Sequence, residues 1–141
     1  MTQTTVLTAQ QAYDKALFGI REQEYEQSAS AGGAGGTCAY RGEAGTKCAV
    51  GYSIDDETAI KWDKGVYSSG VICYKVFDIE SLYKFDKETY LKFFQESDVE
   101  LLRKLQGIHD CIPITDRGNG QYFESKMQEL AEDFNLVYTP V

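Results

Sequence analysis

Thr37-Cys-Ala-Tyr-Arg-Gly-Glu-Ala-Gly-Thr-Lys-Cys-Ala-Val-Gly51 is the stretch on which the reading of the fold turns. Two strand-like pieces flank Gly42-Glu-Ala-Gly45, a composition typical of turns, and each piece carries one cysteine. With the turn centred on Glu43, Cys38 and Cys48 are equally distant from the centre. They then stand opposite each other and leave the same face of the ribbon. Such a pair admits a metal clip, a disulfide or two packed small apolar groups. The stretch therefore predicts a β-hairpin over about residues 37–54.

Working outward, Ser28-Ala-Ser-Ala-Gly-Gly-Ala-Gly-Gly36 precedes the hairpin. Its glycines lack a preceding strand, a Gly-Lys-Ser/Thr ending and a following helix, so residues 28–36 are a flexible connector and not a phosphate cradle. Before the connector, Thr8-Ala-Gln-Gln11 is a capping box, in which hydroxyl and amide satisfy each other's free N–H groups. It opens a helix whose stripe is Ala9, Ala12, Tyr13, Ala16, Leu17 and Ile20. After the hairpin, Asp55 to Trp62 forms a short helix with acids in the first turn, where the macrodipole favours them. The β-rich run that follows, broken at Ser68-Ser-Gly70, predicts a third strand at about 71–77.

The remainder reads as helical. Asp86 to Phe94 is a short amphipathic segment. Ser97-Asp-Val-Glu100 has capping-box spacing and opens a helix carrying Leu101, Leu102, Leu105, Ile108 and Ile112, ended by Pro113. A last helix runs from about Gln121 to Phe134, and Leu136 to Tyr138 adds a short strand. The expected fold is α+β: one domain over residues 1–141, with a small antiparallel sheet packed by three or four helices.

Fourteen basic against twenty-two acidic residues give a net charge of −8. Generic nucleic-acid binding is excluded on that balance, because neutralising phosphates requires clustered Lys and Arg. The acids are dispersed and interrupted by lysines, which is the pattern of a solvated surface and not of a nucleic-acid mimic. Ten tyrosines suit either a core or a partner-binding surface. The N-terminal residues lack a basic region followed by an apolar one, and no apolar stretch approaches a membrane span, so a cytoplasmic protein with reduced thiols and no membrane contact is expected.

His109 is the only histidine, which removes any two-histidine metal motif. It follows Leu102 and Leu105 on the inward stripe, as a core histidine bonded to a backbone carbonyl would. Joined to Cys38 and Cys48, with Cys73 or Cys111 as fourth ligand, it would complete a structural zinc site. No Cys-x-x-Cys or His-x-x-x-His spacing supports that set; free cysteines otherwise pack as small hydrophobes. Cys111 and His109 diverge by about 160° on one helix, so they cannot act as nucleophile and base. Tyr40, Arg41 and Lys47 at the hairpin form a cluster suited to an anion or an acidic partner, with a surface ion pair between Arg41 and Glu43 as the structural alternative. Asp55-Asp56-Glu57 lacks the alternating oxygens of a calcium loop.

Cys38-Ala-Tyr-Arg-Gly42, Gly45-Thr-Lys-Cys-Ala-Val-Gly51 and Ile54-Asp-Asp-Glu57, with Leu105-Gln106 and His109-Asp110 and a closing helix near Phe134, resemble a group of small proteins encoded in tailed-bacteriophage genomes. The resemblance covers about residues 38–62 and 99–136; the segment 64–96 is longer and more aromatic than in that group. It implies a setting: a small cytosolic protein made during infection that binds host machinery or blocks defence. No catalytic residue carries over. The expected function is therefore non-enzymatic binding of a host or defence protein, with Tyr40, Arg41 and Lys47 in the contact surface. Two alternatives stand beside it. One is a binder or hydrolase of a small phosphate-bearing ligand, such as a nucleotide signal, using Arg41, Lys47 and His109. The other is an interaction module stabilised by zinc, with no other cofactor.

Overall fold

The computed structural model describes residues 6–26, 40–41, 46–63, 66–67, 70–71, 79–112, 115 and 119–141. Six helices dominate them: α1 (Ala9–Glu22), α2 (Asp56–Asp63), α3 (Ile79–Phe85), α4 (Lys87–Phe93), α5 (Val99–Asp110) and α6 (Gln121–Phe134). α5 is the centre of the packing and touches α1, α3 and α6. Its buried stripe is Leu101, Leu102, Leu105 and His109, met by Leu17 and Ile20 from α1, Leu82 from α3, and Phe123 and Met127 from α6. Each such large apolar side chain contributes roughly 1.5–3 kcal/mol by leaving water. No helix among the described residues is long and apolar enough to cross a membrane.

Over the described residues the protein is therefore all-α, and the α+β expectation is corrected. Among the described residues the sheet is one antiparallel ladder of two-residue strands, β1 (Val66–Tyr67) and β2 (Gly70–Val71), with Val66 opposite Val71 and Tyr67 opposite Gly70. An ordinary strand has about 5–6 residues, so this ladder cannot form a layer. The strand expected at 71–77 reaches only Val71 in β2; residues 72–78 lie outside the described residues.

Of the hairpin expected at 37–54, the pairing among the described residues is a single antiparallel bridge between Arg41 and Lys47. The bridge has its midpoint at position 44, whereas the expected register had its centre at Glu43. Beyond it Cys48, Ala49 and Val50 are all buried, at 3%, 1% and 0% exposure. Three consecutive buried residues break the alternation that a half-buried strand needs. The chain instead turns into one 3₁₀ turn, Gly51–Ser53, packed on α1. Gly19 permits that approach, since a Cβ there would lie 2.5 Å from the Tyr52 ring.

Local signals placed most helices correctly. The Thr8 capping box forms, with Gln11 N–H donating to Thr8 Oγ1 at 3.1 Å and Thr8 N–H donating to Gln11 Oε1 at 2.9 Å. The second capping box does not form. Glu96–Asp98 makes a 3₁₀ turn, α5 starts at Val99 without a side-chain cap, and Glu100 pairs with Arg103 at 2.6 Å. α3 was hidden in sequence by the aromatic, β-branched run before it. The tail at Leu136–Tyr138 is not a strand: the Gln10 side chain accepts from Val137 N–H at 2.8 Å and donates to its carbonyl at 3.0 Å.

Candidate binding cleft between α2 and α4

Arg41 is a stitch. Its backbone N–H donates to Asp63 Oδ2 at 3.0 Å, and the preceding N–H of Tyr40 donates to Asp63 Oδ1 at 2.9 Å. The guanidinium donates from Nε to Asp56 at 2.8 Å, from Nη1 to the Gly51 carbonyl at 2.7 Å and from Nη2 to the Ile54 carbonyl at 3.0 Å. Its side chain is 18% exposed. The planar fork of arginine is thus spent on joining the bridge, the 3₁₀ turn and the start of α2. The same contact holds the exposed Asp56 carboxyl below the usual carboxylate range.

The other residues expected at the hairpin site separate. Tyr40 is 1% exposed, and its hydroxyl accepts from Gln106 Nε2 on α5 at 3.0 Å. Lys47 is half-buried, its ammonium 5.5 Å from the Tyr52 ring centre. His109 is completely buried, with Nδ1 3.3 Å from Asp110 Oδ1. Cys48 is buried too; its sulfur accepts from Gly51 N–H at 3.1 Å, and burial pushes its thiol well above the ordinary range. Cys111 caps the far end of α5 and is exposed. Cys38 and Cys73 lie outside the described residues. Among the described residues, no group of three or more His, Cys, Asp or Glu side chains is placed to hold a metal ion. Tyr40 and His109 therefore both approach the core side of α5, whereas Arg41 turns the other way, toward α2.

A different constellation has the form of a site. α2 and α4 enclose a cleft of about 170 Å³. Its floor is Trp62 and Asp86, which are 1% and 3% exposed, with Thr58 and Phe93 beside them. The indole N–H of Trp62 donates to Asp86 Oδ2 at 2.8 Å. Asp86 occupies the N-cap position of α4 but its carboxylate makes no capping bond. It turns from the helix it is placed to cap and bonds across to α2 instead. Its backbone is held as firmly: its N–H donates to the Leu82 carbonyl at 2.7 Å and its carbonyl accepts from Tyr90 N–H at 3.0 Å.

The rim is charged. Glu57 and Lys61 pair along α2 at 3.2 Å, Asp55 accepts the Thr58 N–H at 2.8 Å, and Lys92 stands on the α4 side. Three carboxylates thus face two ammonium groups around an aromatic floor. No protein-family model matches the chain, and no curated protein or solved structure shows a significant match. The cleft has to be read from its chemistry alone. Ligand pockets usually span about 300–1,000 Å³, so this one is too small for a nucleotide and large enough for a single side chain. Sequence reasoning missed Trp62, Asp86 and Lys92 as partners, because only the tertiary fold brings them to one cleft. The available signal was slight: the chain's single tryptophan lies on a helix opened by acids.

Proposed function

We propose that this chain is a non-enzymatic binding protein that engages a protein partner, a host or defence component in the setting its phage-like motifs imply. The observation that carries this reading is the α2–α4 cleft, a side-chain-sized recess with a buried carboxylate and tryptophan at its floor and a rim of mixed charge. Rigid helical walls and buried aromatic groups are what anchor residues of a partner require. Support comes also from the employment of the reactive groups. Arg41, Cys48 and His109 are packed or bonded into the fold, so the contact face moves from the hairpin to α2 and α4. A net charge of −8 favours a basic partner surface and speeds encounter with it.

Quantitative affinity capture from a bacterial lysate tests the reading. Three baits are compared: the wild-type chain, a cleft-rim reversal carrying Asp55→Lys and Glu57→Lys, and a charge-matched control carrying Glu132→Lys and Asp133→Lys on α6. A partner enriched by the wild type and the control should fall by about tenfold or more with the rim reversal, as expected for loss of complementary charges. Equal capture by all three removes the cleft from the contact surface, and no specific capture by any of them overturns the reading.

A further inference from the structure

We infer that residues 137–139 are the resident ligand of a peptide-binding seat made by α1 and the first turn of α6, and that a tyrosine-bearing segment of a partner protein takes their place. The inference concerns a different face from the α2–α4 cleft and stands whether or not that cleft is engaged. The segment is held as a peptide ligand is held. Gln10 accepts from Val137 N–H at 2.8 Å and donates to its carbonyl at 3.0 Å, and Arg21 donates to the Thr139 carbonyl at 2.6 Å. These are main-chain bonds, which a foreign segment offers equally unless proline stands before the tyrosine. Selectivity rests on one side chain. The Tyr138 hydroxyl donates to Glu124 Oε1 at 2.6 Å, and its ring centre is 5.7 Å from the Arg21 guanidinium. Peptide-recognition sites divide the work in the same way, with main-chain bonds for affinity and side-chain contacts for choice.

The seat keeps its shape without the segment. Arg21 holds Glu124 through two bonds of 2.8 and 2.6 Å, Tyr25 donates to the same carboxylate at 3.0 Å, and Gln10 donates to Asp14 at 2.9 Å. Nor does α6 need it. Leu136 N–H donates to the Ala131 carbonyl at 2.8 Å and Asn135 is left-handed, so the helix is closed before Val137. Residues 137–139 can therefore leave without unwinding α6, and the exposed Val137 and Thr139 side chains add little apolar contact to hold them. What they leave uncovered favours a larger guest. Phe18, one turn before Arg21 with its ring centre 5.6 Å from the guanidinium, stays 46% exposed. A partner segment that covers Phe18 gains apolar burial that the resident lacks. A second copy of the chain brings the identical segment and gains nothing over the resident one. A phosphorylated tyrosine would set its charge against Glu124.

A fluorescently labelled peptide with the sequence of residues 135–140 is titrated with the full-length chain and read by anisotropy. Tyr138→Ala in the chain should bind it at least about tenfold tighter than wild type, because the resident then competes less. Val137→Pro, which deletes the N–H that Gln10 accepts, should do the same and keeps the test open if Tyr138→Ala does not fold. In the Tyr138→Ala chain, Gln10→Ala should weaken the peptide by about threefold to tenfold. Peptides with proline before the tyrosine, with phenylalanine for it, or with phosphotyrosine should each bind about tenfold weaker or less. Among peptides with leucine at one flanking position, one should bind about threefold tighter, and Phe18→Ser should abolish that gain.

Peptide binding by none of the chains overturns the inference, and so does equal binding of the tyrosine, phenylalanine and phosphotyrosine forms. Equal affinity of wild type and both tail variants overturns the role of residues 137–139 as resident ligand. A wild-type chain that dimerises in analytical ultracentrifugation and loses the dimer with Tyr138→Ala overturns a foreign partner as the source and makes a second copy the occupant.

Discussion

The Gln23 side-chain amide brackets the Lys47 peptide unit from both sides, accepting its N–H at 3.0 Å and donating to its carbonyl at 2.9 Å. Gln10 treats Val137 in the same way. In both places a glutamine, one in α1 and one at its C-cap, supplies the hydrogen bonds that a neighbouring strand would supply in a sheet. Two segments are thereby fastened to one helix without a β-layer. The Tyr52 hydroxyl donates to the same Gln23 oxygen, so this amide joins α1, the bridge and the 3₁₀ turn.

Replacing Gln23 should therefore loosen residues 46–53 more than α1 itself. Gln23→Leu should cost about 1–3 kcal/mol, the range for partly buried groups left without partners. Urea denaturation measures the total, and amide exchange at Lys47 should accelerate while exchange in the middle of α1 changes far less. Uniform acceleration across both would show that the amide is not a local fastening.

Acid should release a second fastening at this same, C-terminal end of α1. Arg21 holds Glu124 by two bonds of 2.8 and 2.6 Å, and Tyr25 and Tyr138 donate to the same carboxylate at 3.0 and 2.6 Å. Burial opposes ionisation of Glu124, but these donors outweigh it and hold the carboxyl below the usual glutamate range. A depressed folded-state value stabilises above the unfolded-state value of about 4.3, and the contribution is lost as pH falls through the lower folded value. Glu124→Gln should be about 2 kcal/mol less stable at pH 7. The gap to wild type should close between about pH 5 and pH 3. A gap that stays constant over that range would refute the linkage.

The commitment of Arg41 to internal carbonyls makes two expectations. Arg41→Lys should destabilise by about 2–3 kcal/mol, because one ammonium cannot reach Asp56, Gly51 and Ile54 together. Inorganic pyrophosphate and nucleotides should leave the melting temperature of the wild type unchanged, since a ligand of the native state would raise it. A rise of several degrees with either would return Arg41 to a ligand site.

Two glycines should respond in opposite directions to alanine. Gly107 lies inside α5 with nothing within 4 Å of its would-be Cβ, so Gly107→Ala should stabilise by about 0.5–1 kcal/mol. Gly120 has φ +68°, and a Cβ there would lie 2.1 Å from Tyr25 Cζ. Gly120→Ala should cost more than about 1–2 kcal/mol, the left-handed penalty alone. Thermal denaturation of the pair checks both signs.

The amphipathic helices were legible because their signals are local. Thr8 and Gln11 cap one another three residues apart, and the stripe through Tyr13, Leu17 and Ile20 repeats at helical spacing. His109 was placed inward by the same periodicity. Residues 37–54 misled for the opposite reason. Turn composition and small residues suggest a ribbon, but Cys48, Ala49 and Val50 are all drawn into the core against α1, and alternation cannot survive that. The Ser97–Glu100 spacing failed because Arg103 offers Glu100 a nearer partner than the backbone.

What the sequence determined by itself is the helices other than α3 and the apolar stripes of α1 and α5, since both follow from contacts within a few residues. Tertiary structure alone decided the fold class and the cleft. Whether a segment pairs as a strand depends on what lies beside it, and here α1 and its C-cap offer glutamine amides where a sheet would need a strand. Trp62 and Asp86 are likewise 24 residues apart, and their hydrogen bond exists only because the fold brings the α3–α4 junction to α2. No local rule connects residues at that distance; the burial of their side chains does.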